Sequence, residues 1–131
     1  MTKKELKEII YLDSLINSKL RQLDELKSSR YSVGGLNIGD GIHSSGSKAG
    51  GRQEQLIIKI VSLEEEITRD IDLLIDKKMR AREAIEKLDG VYKLVLSMRY
   101  LERMTWERIA MELNYSLRAV YKIHGQALLK L

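Results

Sequence analysis

Thr105-Trp-Glu-Arg-Ile-Ala-Met-Glu-Leu-Asn-Tyr-Ser-Leu-Arg-Ala-Val-Tyr-Lys-Ile-His124 reads as two short helices joined by a tight turn. Thr105 is a good N-cap, and Glu107 puts negative charge in the first turn, where it suits the helix dipole. Ile109 and Leu113, four apart, share a buried face, and the small Ala110 beside them lets a second helix come close. Asn114 tolerates the left-handed conformation that such a turn needs. Ser116 then caps the next helix, along which Val120, Ile123 and Ala127 recur on one face. Small residue, turn residue, cap and β-branched residue fall at the spacing of a helix-turn-helix.

Around this stretch the composition is helical. The 131 residues include no Pro, no Phe and no Cys, and Leu, Ile, Lys, Arg and Glu are abundant. That favours long helices over a β-sandwich or an α/β sheet. Without Cys there are no disulfides and no thiolate metal sites, and a reducing cytoplasm is compatible. The net charge of +4 permits nucleic-acid binding without requiring it. Its placement says more. From Leu117 to Leu131 the charged side chains are Arg118, Lys122 and Lys130, with no acid among them, whereas 54–88 leans acidic. No apolar run approaches the roughly 20 residues that span a bilayer, and charges interrupt the N-terminal segment throughout, unlike a signal peptide. The expectation is a soluble, cytoplasmic protein.

Upstream, Leu6, Ile9, Ile10, Ile16, Leu20, Leu23 and Leu26 predict one helix from Lys3 to about Arg30, with Leu12 and Leu15 widening its stripe. Residues 31–53 hold seven glycines interspersed with serines, which reads as a flexible loop. Within it, Gly41-Ile-His-Ser-Ser-Gly46-Ser47-Lys48 resembles a phosphate-cradling loop. Ser47 intrudes before the lysine, however, Ala49 replaces the magnesium-holding hydroxyl, and no strand precedes it. A plain loop is the expectation there.

A second helix is predicted over 54–88. Leu56, Ile60, Leu63, Ile67, Ile71 and Leu74 recur at spacings of four and three, a heptad seam, on a helix of about 50 Å. The two long helices must cover their stripes, with each other across the Gly-rich stretch or with another chain. Asp89-Gly90 breaks the pattern. Val91 to Arg103 then forms a helix with Val91, Leu94, Val95, Met98 and Leu101 inward, and the two motif helices complete a trihelical domain. Gly125 inside the last helix suits close packing or a bend, at a cost of up to about 1 kcal/mol.

The run from Met98-Arg-Tyr-Leu-Glu-Arg-Met through Thr105–His124 resembles the ArpU-type late transcriptional regulators of phages and prophages of Gram-positive bacteria. The arginine-tyrosine pair, the Thr-Trp before Ile-Ala, and Ser-Leu-Arg-x-Val-Tyr-x-Ile-His carry the resemblance, which is close over about residues 88–131. Their C-terminal domain is similar to the helix-turn-helix of sigma-factor region 4. The resemblance implies a phage-encoded DNA-binding regulator of transcription, working in a bacterial host cell.

In a helix-turn-helix the second helix lies in the major groove and its N-terminal residues meet base edges. The outward positions are Leu117, Arg118, Tyr121 and Lys122, because Val120 and Ile123 point inward. Arg118 is the best reader, since its fork bonds guanine O6 and N7 together. Tyr121 and Lys122 suit bases or phosphates, and Ser116 with the free N–H groups at the helix start suits a phosphate. Arg103 and Arg108 are candidates for clamping the flanking backbone. Trp106, Tyr100 and Tyr115 read as packing residues, and His124 as a helix-surface or interface residue. The bland alternative for the cations is an ordinary solvated surface. No catalytic constellation, cofactor site or paired-histidine metal spacing is present.

The reading is thus an all-α protein: a long antiparallel helical hairpin or coiled-coil arm over 1–88, then a trihelical helix-turn-helix domain over 89–131. The expected partner is double-stranded DNA, with the arm for homodimerisation or partner contact. Two alternatives stand beside it, a sigma-like factor associated with RNA polymerase and a small terminase-like DNA-packaging subunit.

Overall fold

A computed structural model describes residues 1–40 and 46–131, with side chains described for 1–30 and 51–131. Among the described residues five α-helices run in order: α1 (Lys3–Asp40), α2 (Gly46–Glu86), α3 (Gly90–Leu96), α4 (Trp106–Leu113) and α5 (Leu117–Lys130). α3 continues into a π-helical turn, Ser97–Leu101. No strand occurs among the described residues, and the protein is all-α.

The start of α1 is a reciprocal cap. The Thr2 hydroxyl accepts from the Glu5 amide at 3.2 Å, and the Thr2 amide donates to the Glu5 carboxylate at 2.7 Å. That backbone hydrogen bond holds the Glu5 carboxyl below its ordinary value. Both long helices pass the bounds expected from the sequence, since α1 ends at Asp40 and not near Arg30, and α2 begins at Gly46 and not at Glu54. Glycine costs about 1 kcal/mol per helical position. Extending a helix that is already nucleated needs only one residue fixed per hydrogen bond, and no Pro intervenes to stop it. The loop-like substring 41–48 and His43 lie outside the described side chains.

The chain forms two compact units, Ser14–Ile71 and Met1–Asp13 with Asp72–Leu131. In the first unit α1 and α2 run antiparallel. Lys19 reaches Glu66 and Asp70 (2.8 and 2.5 Å), and Lys27 reaches Glu64 at 3.5 Å. Ile16, Ile60 and Ile67 are buried, with Leu23, Leu26, Leu56 and Leu63 half-buried beside them.

The expected seam changes near its C-terminal end. Ile71 is exposed, and the half-buried residue one step earlier is Asp70. Leu20 is likewise exposed, while Lys19 turns in to meet that carboxylate. Donation to the Asp70 carboxylate, then to that of Glu66, raises the Lys19 ammonium above its ordinary value. An apolar count along the sequence favours the leucine and isoleucine. The matched charges win because each satisfies the other across the helix pair.

In the second unit α3, α4 and α5 enclose Val95, Ile109, Ala110 and Val120. Val91, Met98, Met104, Trp106, Leu113 and Ile123 pack around them. Leu6, Ile9 and Leu12 of α1, Ala81 and Ile85 at the end of α2, and Leu88 just beyond it are buried in the same unit, and Lys77 reaches Glu8 at 3.1 Å.

The helix expected over Val91–Arg103 differs in two ways. Leu94 is exposed, whereas Leu96 and Tyr100 are buried. The π turn, which inserts one residue per turn, shifts the inward face beyond Ser97 and so accounts for Tyr100, whereas Leu94 and Leu96 precede it on α3. The Glu102 amide bonds the Ser97 carbonyl five residues back at 3.0 Å. At the start of α3, Gly90 has φ +56, the left-handed region that suits glycine.

Candidate nucleic-acid interface

The two motif helices are fixed by their own sequence. The Thr105 hydroxyl accepts from the Arg108 amide at 3.2 Å, and the Ser116 hydroxyl accepts from the Ala119 amide at 3.1 Å. Between them Asn114 sits in the left-handed region (φ 56, ψ 40). The next amide, Tyr115, bonds the Ala110 carbonyl at 3.0 Å, which satisfies a carbonyl that the end of α4 leaves free. Each orphan group of the turn that carries a cap thus has a local partner, and α5 leaves the turn in a fixed direction.

α5 divides cleanly. Val120, His124 and Ala127 are buried and Ile123 is half-buried, whereas Leu117, Arg118, Tyr121 and Lys122 are exposed. These four lie at spacings of one, three and one, on the first two turns of one helix face. Arg118 and Lys122, one turn apart, bracket a cationic strip with no acid on α5. Tyr121 is 47% exposed, and its ring meets the edge of Trp106 at 5.3 Å between centroids. Its body is therefore braced while its outer edge stays accessible. Ser116 is exposed at the helix start, its hydroxyl already engaged as the cap.

Arg108 and Arg103 are not on that face. Arg108 is exposed on α4 and pairs with Glu112 at 3.5 Å, one turn along the same helix. Arg103 lies in the linker before α4 with φ 58, and its guanidinium binds the Asp13 carboxylate of α1 at 2.5 Å. A left-handed arginine costs about 1–2 kcal/mol. The structure holds it with that ion pair and with the Met104 amide, which bonds the Met98 carbonyl at 2.9 Å. Arg103 shapes the entry into the motif, with part of its charge committed to Asp13.

Behind the exposed face is a polar-aromatic cluster that sequence reasoning misses. His124 is not a surface residue: it is 9% exposed, and its Nε2 is 2.6 Å from the Tyr100 hydroxyl. Burial, then the charges of Lys3, Arg99 and Lys7, lowers its pKa to about 4, so the ring is neutral at pH 7. Burial also raises Tyr100, which keeps its proton and can donate to the imidazole.

Trp106 packs edge-on to His124 at 4.7 Å, and the Arg99 guanidinium lies 4.4 Å over the Trp106 ring. Arg99 also donates to the Met104 carbonyl at 3.0 Å, which ties the linker to the π turn. Tyr100 and Trp106 are packing residues, as their size predicts, whereas Tyr115 is 44% exposed. The Arg99–Trp106 and Tyr100–His124 pairs are 7 and 24 residues apart in the chain. No periodic signal links them, and Arg-Tyr in sequence was the sole hint.

Among the described residues no three His, Asp or Glu side chains gather as a metal site, and no helix is long and apolar enough to cross a membrane.

The fold class is therefore an all-α chain ending in a trihelical helix-turn-helix unit. A family model described as "Protein of unknown function (DUF1492)" matches residues 41–131, and the chain belongs to that family. No curated protein matches it, and no solved structure does.

Proposed function

We propose that the protein is a phage-type transcriptional regulator that binds duplex DNA through α4 and α5, with the long helices serving dimerisation or partner contact. The observation that carries this reading is the exposed strip Leu117, Arg118, Tyr121 and Lys122 at the start of a capped second helix, held at a fixed angle by the Asn114 turn. A helix presented in this way enters the major groove with its first two turns. Arg118 then reads a guanine through two hydrogen bonds, and Lys122 and Tyr121 hold the adjacent phosphate or base edge. The Ser116 end of α5 offers amide groups to a phosphate. The likeness to ArpU-type regulators and to sigma-factor region 4 supports the same reading. It also allows contact with RNA polymerase.

The test is selection of bound duplexes from a random pool, with fluorescence anisotropy at several salt concentrations. Arg118→Ala/Lys122→Ala is run beside the native chain. The native chain is expected to recover a motif. A bidentate arginine contributes about 1–3 kcal/mol of base discrimination, so the variant loses the motif, with at least a tenfold drop in affinity for it. Binding without a motif would favour a polymerase-dependent or DNA-packaging role. Absence of binding at low salt would sink the DNA reading.

A further inference from the structure

The exposed face at the start of α5 consists of two parallel rows. Arg118 and Lys122, one turn apart, form a cationic row, and Leu117 and Tyr121, also one turn apart, form an apolar row beside it. Leu117 is 36% exposed and Tyr121 47%. The apolar row adjoins α4, because the Tyr121 and Trp106 rings meet edge to face at 5.3 Å, and Trp106 is held in turn by the Arg99 guanidinium. A ring braced in this way gives up little freedom when a ligand packs against it.

Length and charge together indicate what covers the apolar row. The row breaks at Gly125, and the next apolar side chain in its register is Leu129. A helix laid along α5 would therefore cross a gap of about two turns after Tyr121. A partner that meets only the first two turns of α5 encounters no gap. The cationic row runs alongside, and α5 carries no acid, so the complementary surface sets small apolar groups beside closely spaced negative charge. The major groove of duplex DNA is such a surface. Phosphates line it, and among the hydrogen-bonding groups of its base edges the apolar one is the C5 methyl of thymine. Leu117 and Tyr121 are separated by about 6 Å along the helix, close to two base-pair steps.

We propose that Leu117 and Tyr121 are specificity-determining residues that pack on thymine methyl groups, so that the preferred site carries thymine within two base pairs of the guanine bonded by Arg118. This assignment rests on the DNA reading above and deepens it. Arg118 selects guanine through hydrogen bonds. The apolar row adds a choice that no hydrogen bond makes, between thymine and the same pairing face without its methyl group.

The test uses the full chain and the duplex motif recovered by selection. Each thymine of the motif is replaced in turn by deoxyuridine, which removes the methyl group and keeps every hydrogen bond of the base pair. The native chain should lose about fourfold in affinity at one or two positions beside the guanine, the change that burial of one methyl group gives, and nothing elsewhere. Leu117→Ala should bind the thymine duplex more weakly and become indifferent to uracil at one of those positions, and Tyr121→Ala at the other. Tyr121→Phe keeps the ring and should keep the native sensitivity. Both side chains are exposed, and unchanged helical circular dichroism checks that the variants fold. A motif without thymine near the guanine, a motif in which uracil costs nothing, or native sensitivity in both alanine variants overturns the proposal and leaves the DNA reading standing. Absence of duplex binding removes both.

Discussion

The unit Ser14–Ile71 and the unit built from Met1–Asp13 with Asp72–Leu131 are both helical, but different kinds of information hold them together. In the first, two helices share a periodic seam, and any one residue can be placed from its neighbours' spacing. Its one irregularity is the step where Lys19 and Asp70 replace an apolar pair. In the second, caps, three left-handed residues and a π turn set short helices at fixed angles around a closed core. A two-helix seam leaves the outward face of each helix free for another partner. A closed core presents a single surface whose geometry is already decided.

The sharpest test of this contrast is truncation of one isoleucine in each unit. Ile109 is fully buried in the core of the second unit and Ile67 is 5% exposed on the seam of the first. Ile109→Ala leaves a cavity enclosed on all sides and should cost about 3–4 kcal/mol in urea unfolding with the m-value unchanged. Ile67→Ala leaves a gap beside solvent that neighbouring side chains and water can relax into, and should cost about 2 kcal/mol. Equal costs would mean that the seam is packed as tightly as the core, and the contrast would fail.

Acid distinguishes the units next. His124 is buried in the second, with Tyr100, Trp106, Lys3, Lys7 and Arg99 facing it. Its pKa, about 4 in the fold, lies below the ordinary value near 6.5. The unfolded chain therefore binds this proton first as pH falls. The stability that comes from keeping the ring neutral is complete above about pH 6.5 and is lost progressively down to about pH 4, by at most about 3 kcal/mol. An NMR titration of the imidazole should show no protonation above pH 5. A midpoint near 6.5 would mean that the ring is solvated, and the Tyr100 pairing would have to be abandoned.

How much of each unit was legible in the sequence follows from the same contrast. The heptad spacing of α2, the caps Thr105 and Ser116 and the Asn114 turn are local, and each is readable within a few residues. The outward set Leu117, Arg118, Tyr121 and Lys122 follows from the 3.6-residue period once Val120 is placed inside. The Asp70–Lys19 step was not readable, because it depends on which residues of another helix stand opposite. Nor was the burial of His124, whose partner lies 24 positions back. Arg103 was read as a candidate clamp on the flanking backbone, and nothing local shows that its own backbone is left-handed or that Asp13, 90 residues earlier, pairs with it.

The smallest predicted effects come from two glycines that composition treats alike. Gly125 lies within α5, where close packing or a bend would account for it, but a Cβ placed there meets nothing within 4 Å. Close packing is thereby removed as the reason. Gly125→Ala should stabilise the chain by up to about 1 kcal/mol, because alanine loses less backbone freedom in a helix and has room for its methyl group. Gly90 also has open space around it, yet its φ of +56 strains any residue with a Cβ. Gly90→Ala should therefore destabilise by about 1 kcal/mol. Both are read as shifts in the urea midpoint. Opposite signs are required: free space governs the first position and backbone conformation the second. Destabilisation by Gly125→Ala would mean that α5 is bent or packed at this position, and the open space around Gly125 would have to be abandoned.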